Sequence, residues 1–173
     1  MGPNGIKHLY TAEQIQTRIR ELAREIERDF QGSDLVVVGV LKGAFVFMAD
    51  LVRALNIPTR CDFLRVQSYD RDRSTGVVRM EFDLTQPITD TDVLLVEDIV
   101  DSGRTLRYLL KHLQSKRPRR VRVASLLYKE LNPELRPLID YLGFTVPNVY
   151  VIGYGLDSQG RHRGLPFIGY PKS

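Results

Sequence analysis

Residues 93–106 constrain the fold more than any other stretch of the chain. Four apolar residues lead into two adjacent carboxylates, Glu97 and Asp98, and a third acid, Asp101, follows before a segment with helical periodicity. A buried strand that ends in acids and turns into a helix is typical of α/β proteins, which build their sites at the carboxyl ends of parallel strands. Backbone N–H groups at the start of such a helix suit a phosphate, whereas the acids suit sugar hydroxyls or a hard cation.

Each residue of this run also has a simpler structural interpretation. Asp101 or Ser102 could be the N-cap of the helix that follows. Glu97 and Asp98 could be a solvated strand end. Because no single structural role requires all of these residues, the complete run favours a site for a sugar phosphate.

The rest of the chain alternates between strand and helix patterns. Thr11 and Gln14 form a capping-box signature, and apolar residues then recur at helical spacing, so a helix is predicted at 12–30. This alternation predicts an α/β fold, with a mainly parallel central sheet flanked by helices, in one domain over residues 1–173. The irregular chain ends are expected to form a small cap, or hood, over the active face. The other predicted elements are strands at 35–41, 59–67, 77–84, 93–97, 121–127 and 149–153 and helices at 44–55 and 103–115.

Composition places the chain among ordinary globular proteins. The apolar share is 43% and the charged share is 27%, and no apolar stretch approaches the length of a membrane span. The first residues lack the apolar core of a secretion signal, and the single cysteine, Cys61, rules out an intramolecular disulfide, so a cytoplasmic location is expected. Cys61 lies in an apolar-rich run and is expected to be a buried, inert thiol.

The net charge of +4 favours an anionic partner, either a polyphosphate substrate or nucleic acid. The strongest basic cluster, residues 116–120, falls between a predicted helix and a predicted strand. We interpret it as a charged connection, because a nucleic-acid surface for single strands would interleave aromatic residues with the basic ones. His8, His112 and His162 show no metal-ligand spacing and are expected to take no part in the chemistry.

The run at 93–106 resembles the motif with which type I phosphoribosyltransferases bind phosphoribosyl pyrophosphate (PRPP). The resemblance implies that Glu97 and Asp98 hold the ribose and a magnesium ion, and that Asp101 is the catalytic base that takes a proton from N7 of a purine. It also implies a binding loop for the 5-phosphate, made of Ser102, Gly103, Arg104 and Thr105.

Further segments, between about residue 10 and residue 168, are similar to the hypoxanthine-guanine branch of that family. Lys42 and Gly43 stand where the family binds pyrophosphate, in a loop whose Leu–Lys peptide can be cis. Ser68 and Tyr69 open a segment, continuing through 70–76, that matches a lid; such a lid contacts pyrophosphate and keeps water from the reaction.

The remaining two segments concern the purine. The resemblance implies that Lys129 donates to the 6-oxo group, which an ammonium prefers over the amino group of adenine. It implies that Tyr150 stacks on the base and that the backbone of Val151 reads its edge. Asp157, beside the base, is expected to hold a second magnesium bound to pyrophosphate, which Arg163 also contacts.

Departures from the family pattern are small: Ala44 replaces a second glycine, and Ser102 and Arg104 stand where threonine and lysine are common. The resemblance therefore implies magnesium-dependent transfer of a phosphoribosyl group from PRPP to hypoxanthine or guanine, by a homodimer or homotetramer with no membrane or nucleic-acid partner. Two other classes compete. An RNA-binding regulator of the same fold would keep the PRPP loop, and a non-enzymatic nucleotide-binding module would not need Asp101 together with Asp157.

Overall fold

The computed structural model describes residues 5–69 and 77–171, and it confirms the predicted alternation of strands and helices. The strands are β1 (Ile6–Tyr10), β2 (Leu35–Leu41), β3 (Thr59–Tyr69), β4 (Val77–Phe82), β5 (Asp92–Val100), β6 (Arg120–Lys129), β7 (Tyr141–Val146) and β8 (Ile168–Pro171). The helices are α1 (Ala12–Asp29), α2 (Phe45–Ala54) and α3 (Arg104–Ser115), with a short 3-10 helix at Pro133–Leu138.

Six strands form the central sheet in the order β4-β3-β2-β5-β6-β7. All neighbours in it are parallel except β4, which pairs antiparallel with β3 at one edge. The chain runs from β2 to β3 on one side and later resumes with β5 on the other side of β2. The loops that follow β2 and β5 therefore flank a crevice at the carboxyl ends of the strands, which is where open α/β sheets bind ligands.

The sheet is covered on both faces, as its nearly continuous apolar strands predict. Successive residues of β2 point to opposite faces: Val37 packs in the core formed with α1 and α2, and Val38 in the core formed with α3. Helix α1 begins with the expected capping box between Thr11 and Gln14, both of whose hydrogen bonds are present. These two cores fix the strand ends that carry the polar residues.

The strand predicted at 149–153 is wrong. In its place, Ile152 makes a single bridge to Gly169, and a tight turn follows at once. Gly153 has a φ of 94°, a left-handed conformation that ends an extended segment. The sixth strand of the sheet is instead β7, whose Gly143 packs against the backbone of Leu126 in β6.

Strands β1 and β8, from opposite ends of the chain, pair antiparallel in a ribbon of their own.

The expectation of a buried cysteine is wrong, because Cys61 is exposed. It alternates on β3 with Asp62 and Leu64, whose side chains take the buried positions.

Three of the four basic residues at 116–120 form ion pairs with acids of this chain. Arg119 and Arg120 both bind Asp92, at 3.1 and 3.2 Å, and Lys116 binds Asp83 at 2.8 Å.

Among the described residues, no helix combines the length and the apolar character that crossing a membrane requires.

Candidate active site

The first part of the site is formed by the turn between β5 and α3 together with the first two residues of α3; we call these residues, 101–105, the phosphate cup. Gly103 is the N-cap of α3, with a φ of 75°, and within the described residues no side chain caps this helix. The first N–H groups of α3 are thus left for a ligand, in contrast to those of α1. The cup adjoins a cavity of about 80 Å³. Its lining residues are Glu97, Ile99, Val100, Asp101, Ser102, Gly103, Thr105 and Leu106.

Gly103 is needed at this position for two reasons. Its backbone is left-handed, and an added Cβ would lie 2.2 Å from a methyl carbon of Leu135. Within the cup, Ser102 and Arg104 are exposed and Thr105 is partly buried. The N-cap interpretation of Asp101 and Ser102 is therefore wrong, since Gly103 occupies that position.

The two acids at the end of β5 lie where the cup meets the loop after β2. Glu97 is 3% exposed, and its pKa is raised well above the usual value by burial and by the neighbouring charge of Asp98. Burial also raises the pKa of Asp98, to about 6; the N–H of Ile99 and the charge of Arg163 act in the opposite direction, and Asp157 adds to the rise. Two carboxylates held in so little water favour a cationic partner.

The loop after β2 contacts these acids directly. The Leu41–Lys42 peptide is cis, Lys42 is exposed, and Gly43 lies against Asp98. An added Cβ on Gly43 would lie 1.5 Å from Asp98 Oδ2, so only glycine allows this approach.

The segment at 150–163 packs against the loop after β2, where Gly155 closely approaches Gly43. Arg163 binds Asp157 Oδ1 at 2.5 Å with one nitrogen and donates to Gly155 O at 2.6 Å with another. Tyr150 is 59% exposed, and its hydroxyl donates to Asp157 O at 2.7 Å. Val151 is buried. An exposed aromatic ring beside a rigid, charged turn is suited to stacking against a planar ligand.

Lys129 ends β6 and joins the site through Asp101. Its Nζ donates to Asp101 Oδ2 at 3.0 Å, and its side chain is 12% exposed against 47% for that of Asp101. Strands β5 and β6 pair in parallel up to Val100 and Tyr128, so the next residue on each strand end falls beside the other. We call Lys42, Gly43, Lys129, Tyr150, Val151, Asp157 and Arg163 the composite wall, because separate parts of the chain supply it.

The fold thus brings most of the predicted site residues to one end of the sheet. Ser68 and Tyr69 end β3, but only their backbone is described, and the rest of the predicted lid, 70–76, lies outside the described residues. Sequence reasoning missed three residues that support the wall: Gln16, Asp50 and Tyr154. The one available signal was an acid, Asp50, within the otherwise apolar stretch of α2.

The donors present fit a magnesium ion. In the described part of the chain no three or more His, Cys, Asp or Glu residues cluster closely enough to form a metal site by themselves. Magnesium retains water and binds through one or two carboxylates together with substrate oxygens, so a pair such as Glu97 and Asp98 suffices.

Comparisons with known proteins agree with this geometry. Residues 5–159 match the model of the phosphoribosyl transferase domain family. The hypoxanthine-guanine phosphoribosyltransferase of Mycobacterium avium is 48% identical over 96% of this chain and 86% of its own length. The crystal structure of the corresponding Bacillus anthracis enzyme superposes with a TM-score of 0.90 at 39% identity, covering 96% of this chain and 98% of that one. The Trypanosoma cruzi hypoxanthine phosphoribosyltransferase, in complex with its product IMP, gives a TM-score of 0.90 at 40% identity, with 99% and 97% covered.

Proposed function

The chain belongs to the phosphoribosyl transferase domain family, and we propose that it is a purine-salvage enzyme that transfers the 5-phosphoribosyl group of PRPP to hypoxanthine or guanine. The products are IMP or GMP and pyrophosphate. The observation that best supports this proposal is the contact of Gly43 with Asp98, because it brings the loop after β2 beside the acids that adjoin the cup. A pentose with phosphate groups at both ends could use the loop for one of them and the cup for the other.

In this reaction N9 of the purine attacks C1 of the ribose while the bond from C1 to the pyrophosphate oxygen breaks. The electron pair of that bond leaves with pyrophosphate, and the proton on N7 passes to a carboxylate oxygen of Asp101. Lys129 holds Asp101 Oδ2 at 3.0 Å and is near enough to donate to the 6-oxo group of a base beside it. Such a positioned proton transfer contributes about 10²–10⁴-fold to a rate.

The cup and the acids hold the reacting sugar. Ser102, Thr105 and the backbone N–H groups of Gly103 and Arg104 bind the 5-phosphate at the start of α3. Glu97 and Asp98 accept hydrogen bonds from the ribose hydroxyls and would hold magnesium together with substrate oxygens. When bound, magnesium neutralises charge on pyrophosphate and so makes it a better leaving group.

The composite wall orients the other two partners of the reaction. Lys42, the N–H of Gly43 and Arg163 bind pyrophosphate, and Asp157 would hold a second magnesium ion, which would neutralise charge on pyrophosphate. Tyr150 stacks on the purine, and the backbone of Val151 reads its edge. Ser68 and Tyr69 are proposed to close over pyrophosphate as part of the lid.

The broader setting of the enzyme is proposed on the same basis. The ribbon of β1 and β8 is proposed to act as the hood over the active face; its bridge from Gly169 to Ile152, next to Val151, supports this role. A cytoplasmic homodimer or homotetramer is the form in which we expect the chain to act. The alternative of an RNA-binding regulator finds no support in relatives that are themselves named phosphoribosyltransferases.

A direct assay tests the activity. The purified protein is supplied with PRPP and, separately, hypoxanthine, guanine, xanthine or adenine, with magnesium chloride or with a chelator, and nucleotides are separated by chromatography. We expect IMP and GMP in the presence of magnesium, no AMP, and no product with the chelator. Failure to form a nucleotide from any 6-oxopurine, together with salt-dependent binding of RNA, would favour the regulator instead.

A further inference from the structure

A polar cluster behind the composite wall connects three distant parts of the chain. Tyr154, 3% exposed, donates its hydroxyl to Asp50 Oδ2. Gln16 of α1 donates to the same oxygen at 2.7 Å and lies 3.4 Å from the tyrosine hydroxyl. The proposed function gives none of these three side chains a contact with a substrate.

The backbone at Tyr154 adopts a conformation that needs outside support. Gly153, Tyr154 and Gly155 have φ values of 94°, 50° and 101°, and all three lie in the left-handed region. A bulky residue at positive φ is disfavoured and persists only where its surroundings enforce it. Here the N–H of Tyr154 donates to Leu165 O at 2.9 Å, and its buried side chain is held by Asp50.

The turn that Tyr154 stabilises lies directly against the loop after β2, whose Lys42 and Gly43 are proposed to bind pyrophosphate. A Cβ on Gly155 would stand 2.1 Å from Gly43 O and 3.7 Å from a side-chain carbon of Val46. The same turn fixes Arg163, which donates to Gly155 O at 2.6 Å. A shift of the turn would therefore change the gap between Gly43 and Arg163, the two groups proposed to bind pyrophosphate from opposite sides.

Asp50 is placed to prevent that shift. It lies on α2, the helix that begins directly after Gly43 and Ala44, so the loop and the acid belong to one continuous structural unit. The turn touches this unit at two points, at Gly43 through Gly155 and at Asp50 through Tyr154. Burial, together with the hydrogen bond to Asp50, raises the pKa of Tyr154, which keeps its hydroxyl protonated and donating.

We propose that Asp50 and Tyr154 are positioning residues that set the width of the pyrophosphate site. This inference rests on the proposed function and adds two residues to it that touch no substrate. Loss of the hydrogen bond would let the turn relax away from the loop and weaken the binding of PRPP and pyrophosphate. The affinity for the purine and the turnover rate of the saturated enzyme would change much less.

A second buried tyrosine of the chain supplies a matched control. Tyr141 is also 3% exposed, and its hydroxyl donates to a carboxylate, Asp29 Oδ2, at 2.6 Å. That pair joins the end of α1 to β7, away from the composite wall. Tyr154→Phe and Tyr141→Phe therefore remove the same chemical group from the same kind of environment.

The experiment compares these two variants in the full-length protein. We expect Tyr154→Phe to raise the KM for PRPP and the Kd for magnesium pyrophosphate, measured by calorimetry, about tenfold, as for a lost hydrogen bond to a charged group. Its kcat and its KM for hypoxanthine should stay within about threefold. Tyr141→Phe should leave all four quantities unchanged. Both variants should lower the unfolding midpoint, and by similar amounts.

Equal behaviour of the two variants would overturn the inference, because a merely structural role lowers stability alone. Asp50→Asn keeps an acceptor oxygen, so it should weaken pyrophosphate binding less than Asp50→Ala does. If Tyr154→Phe fails to fold, the comparison of these two Asp50 variants tests the inference instead. An unchanged Kd for magnesium pyrophosphate in both of them would overturn it. A wild type that forms no nucleotide would defeat the proposed function, whereas pyrophosphate binding would still decide the role of Asp50 and Tyr154.

Discussion

The phosphate cup and the composite wall meet in one crevice but are built in opposite ways. The cup takes its residues from one short stretch, 101–105, and its geometry follows from a strand joined to a helix by a three-residue turn. The wall takes its residues from three places along the chain, and it depends on contacts such as the one between Gly155 and Gly43. A site within one turn is fixed by local backbone conformation, whereas a composite one is fixed only by packing.

This difference separates the expected effects of substitution. Substitutions in or beside the cup should affect a single catalytic step or a single binding group, because α3 holds the backbone there. Substitutions in the wall should affect several binding groups at once, because a displaced loop also displaces the segment packed against it.

Asp101→Asn tests whether the chemistry resides in the cup. An amide cannot accept the N7 proton, so we expect kcat to fall by about 10²–10⁴-fold. PRPP affinity, measured by calorimetry, should stay within about twofold, because the other cup residues are unaltered. Asp90→Asn is the control: Asp90 is exposed and has a φ of 56°, which asparagine tolerates. An unchanged kcat in Asp101→Asn would remove this residue as the base.

Gly43→Ala tests the junction between the two regions. The added Cβ would start 1.5 Å from Asp98 Oδ2, so the loop or the acid must move. A displacement of about 1 Å costs on the order of 10²-fold in rate, and we expect kcat/KM for PRPP to fall by about that factor. Gly164→Ala is the matched control, because no atom lies within 4 Å of its added Cβ. Similar kinetics in both variants would show that the junction does not govern activity.

The same contrast explains what the sequence could predict. The strand, the acids and the helix start at 93–106 are close together in the chain, so their pattern alone indicated a phosphate site. The bond between Tyr154 and Asp50 spans 104 positions, and no periodicity predicts it. Residues 149–153 have the composition of a strand, but the left-handed turn that follows Ile152 depends on packing against Gly43 and Leu165, which a pattern does not show.

The pairing of Lys129 with Asp101 falls between these cases. The two residues are 28 positions apart, and they meet because β5 and β6 are neighbours in parallel register. Knowledge of strand order would have predicted the contact, and the sequence predicted both strands but not their adjacency. The resemblance to a known family, not spacing, was the basis for assigning Lys129 a role.

Lys129→Ala tests that role. Loss of a charged donor to the 6-oxo group should raise the KM for hypoxanthine about tenfold or more, with the KM for PRPP changed less than about twofold. The exposed Lys111 of α3 supplies the control variant, Lys111→Ala, which removes the same charge and should leave both KM values unchanged. Equal weakening of both substrates would place Lys129 outside the base pocket. In that case its bond to Asp101 would be its main function.

The far end of α3 provides the smallest expected effect. Asp83 accepts from His112 at 2.9 Å and from Lys116 at 2.8 Å. Burial tends to raise the pKa of Asp83, but the hydrogen bonds from Lys116 and His112 outweigh it and lower the pKa to about 2. Such a lowered value contributes stability above the unfolded pKa of about 3.9, and this contribution is lost as the pH falls towards 2.

Asp83→Asn should therefore lower the free energy of unfolding at pH 7 by about 1 kcal/mol, a figure reduced because the carboxylate is 36% exposed. Denaturant titrations should show the difference from wild type shrinking below about pH 4. Asp34→Asn, which breaks an exposed pair with Arg60, should cost only a few tenths of a kcal/mol. Because the N-terminus of α3 is fixed by Gly103 and the cores around it, kcat/KM should not change in either variant. A fall in kcat/KM for PRPP in Asp83→Asn would mean that the cup depends on packing along the whole helix, and its geometry would then be no more local than that of the wall.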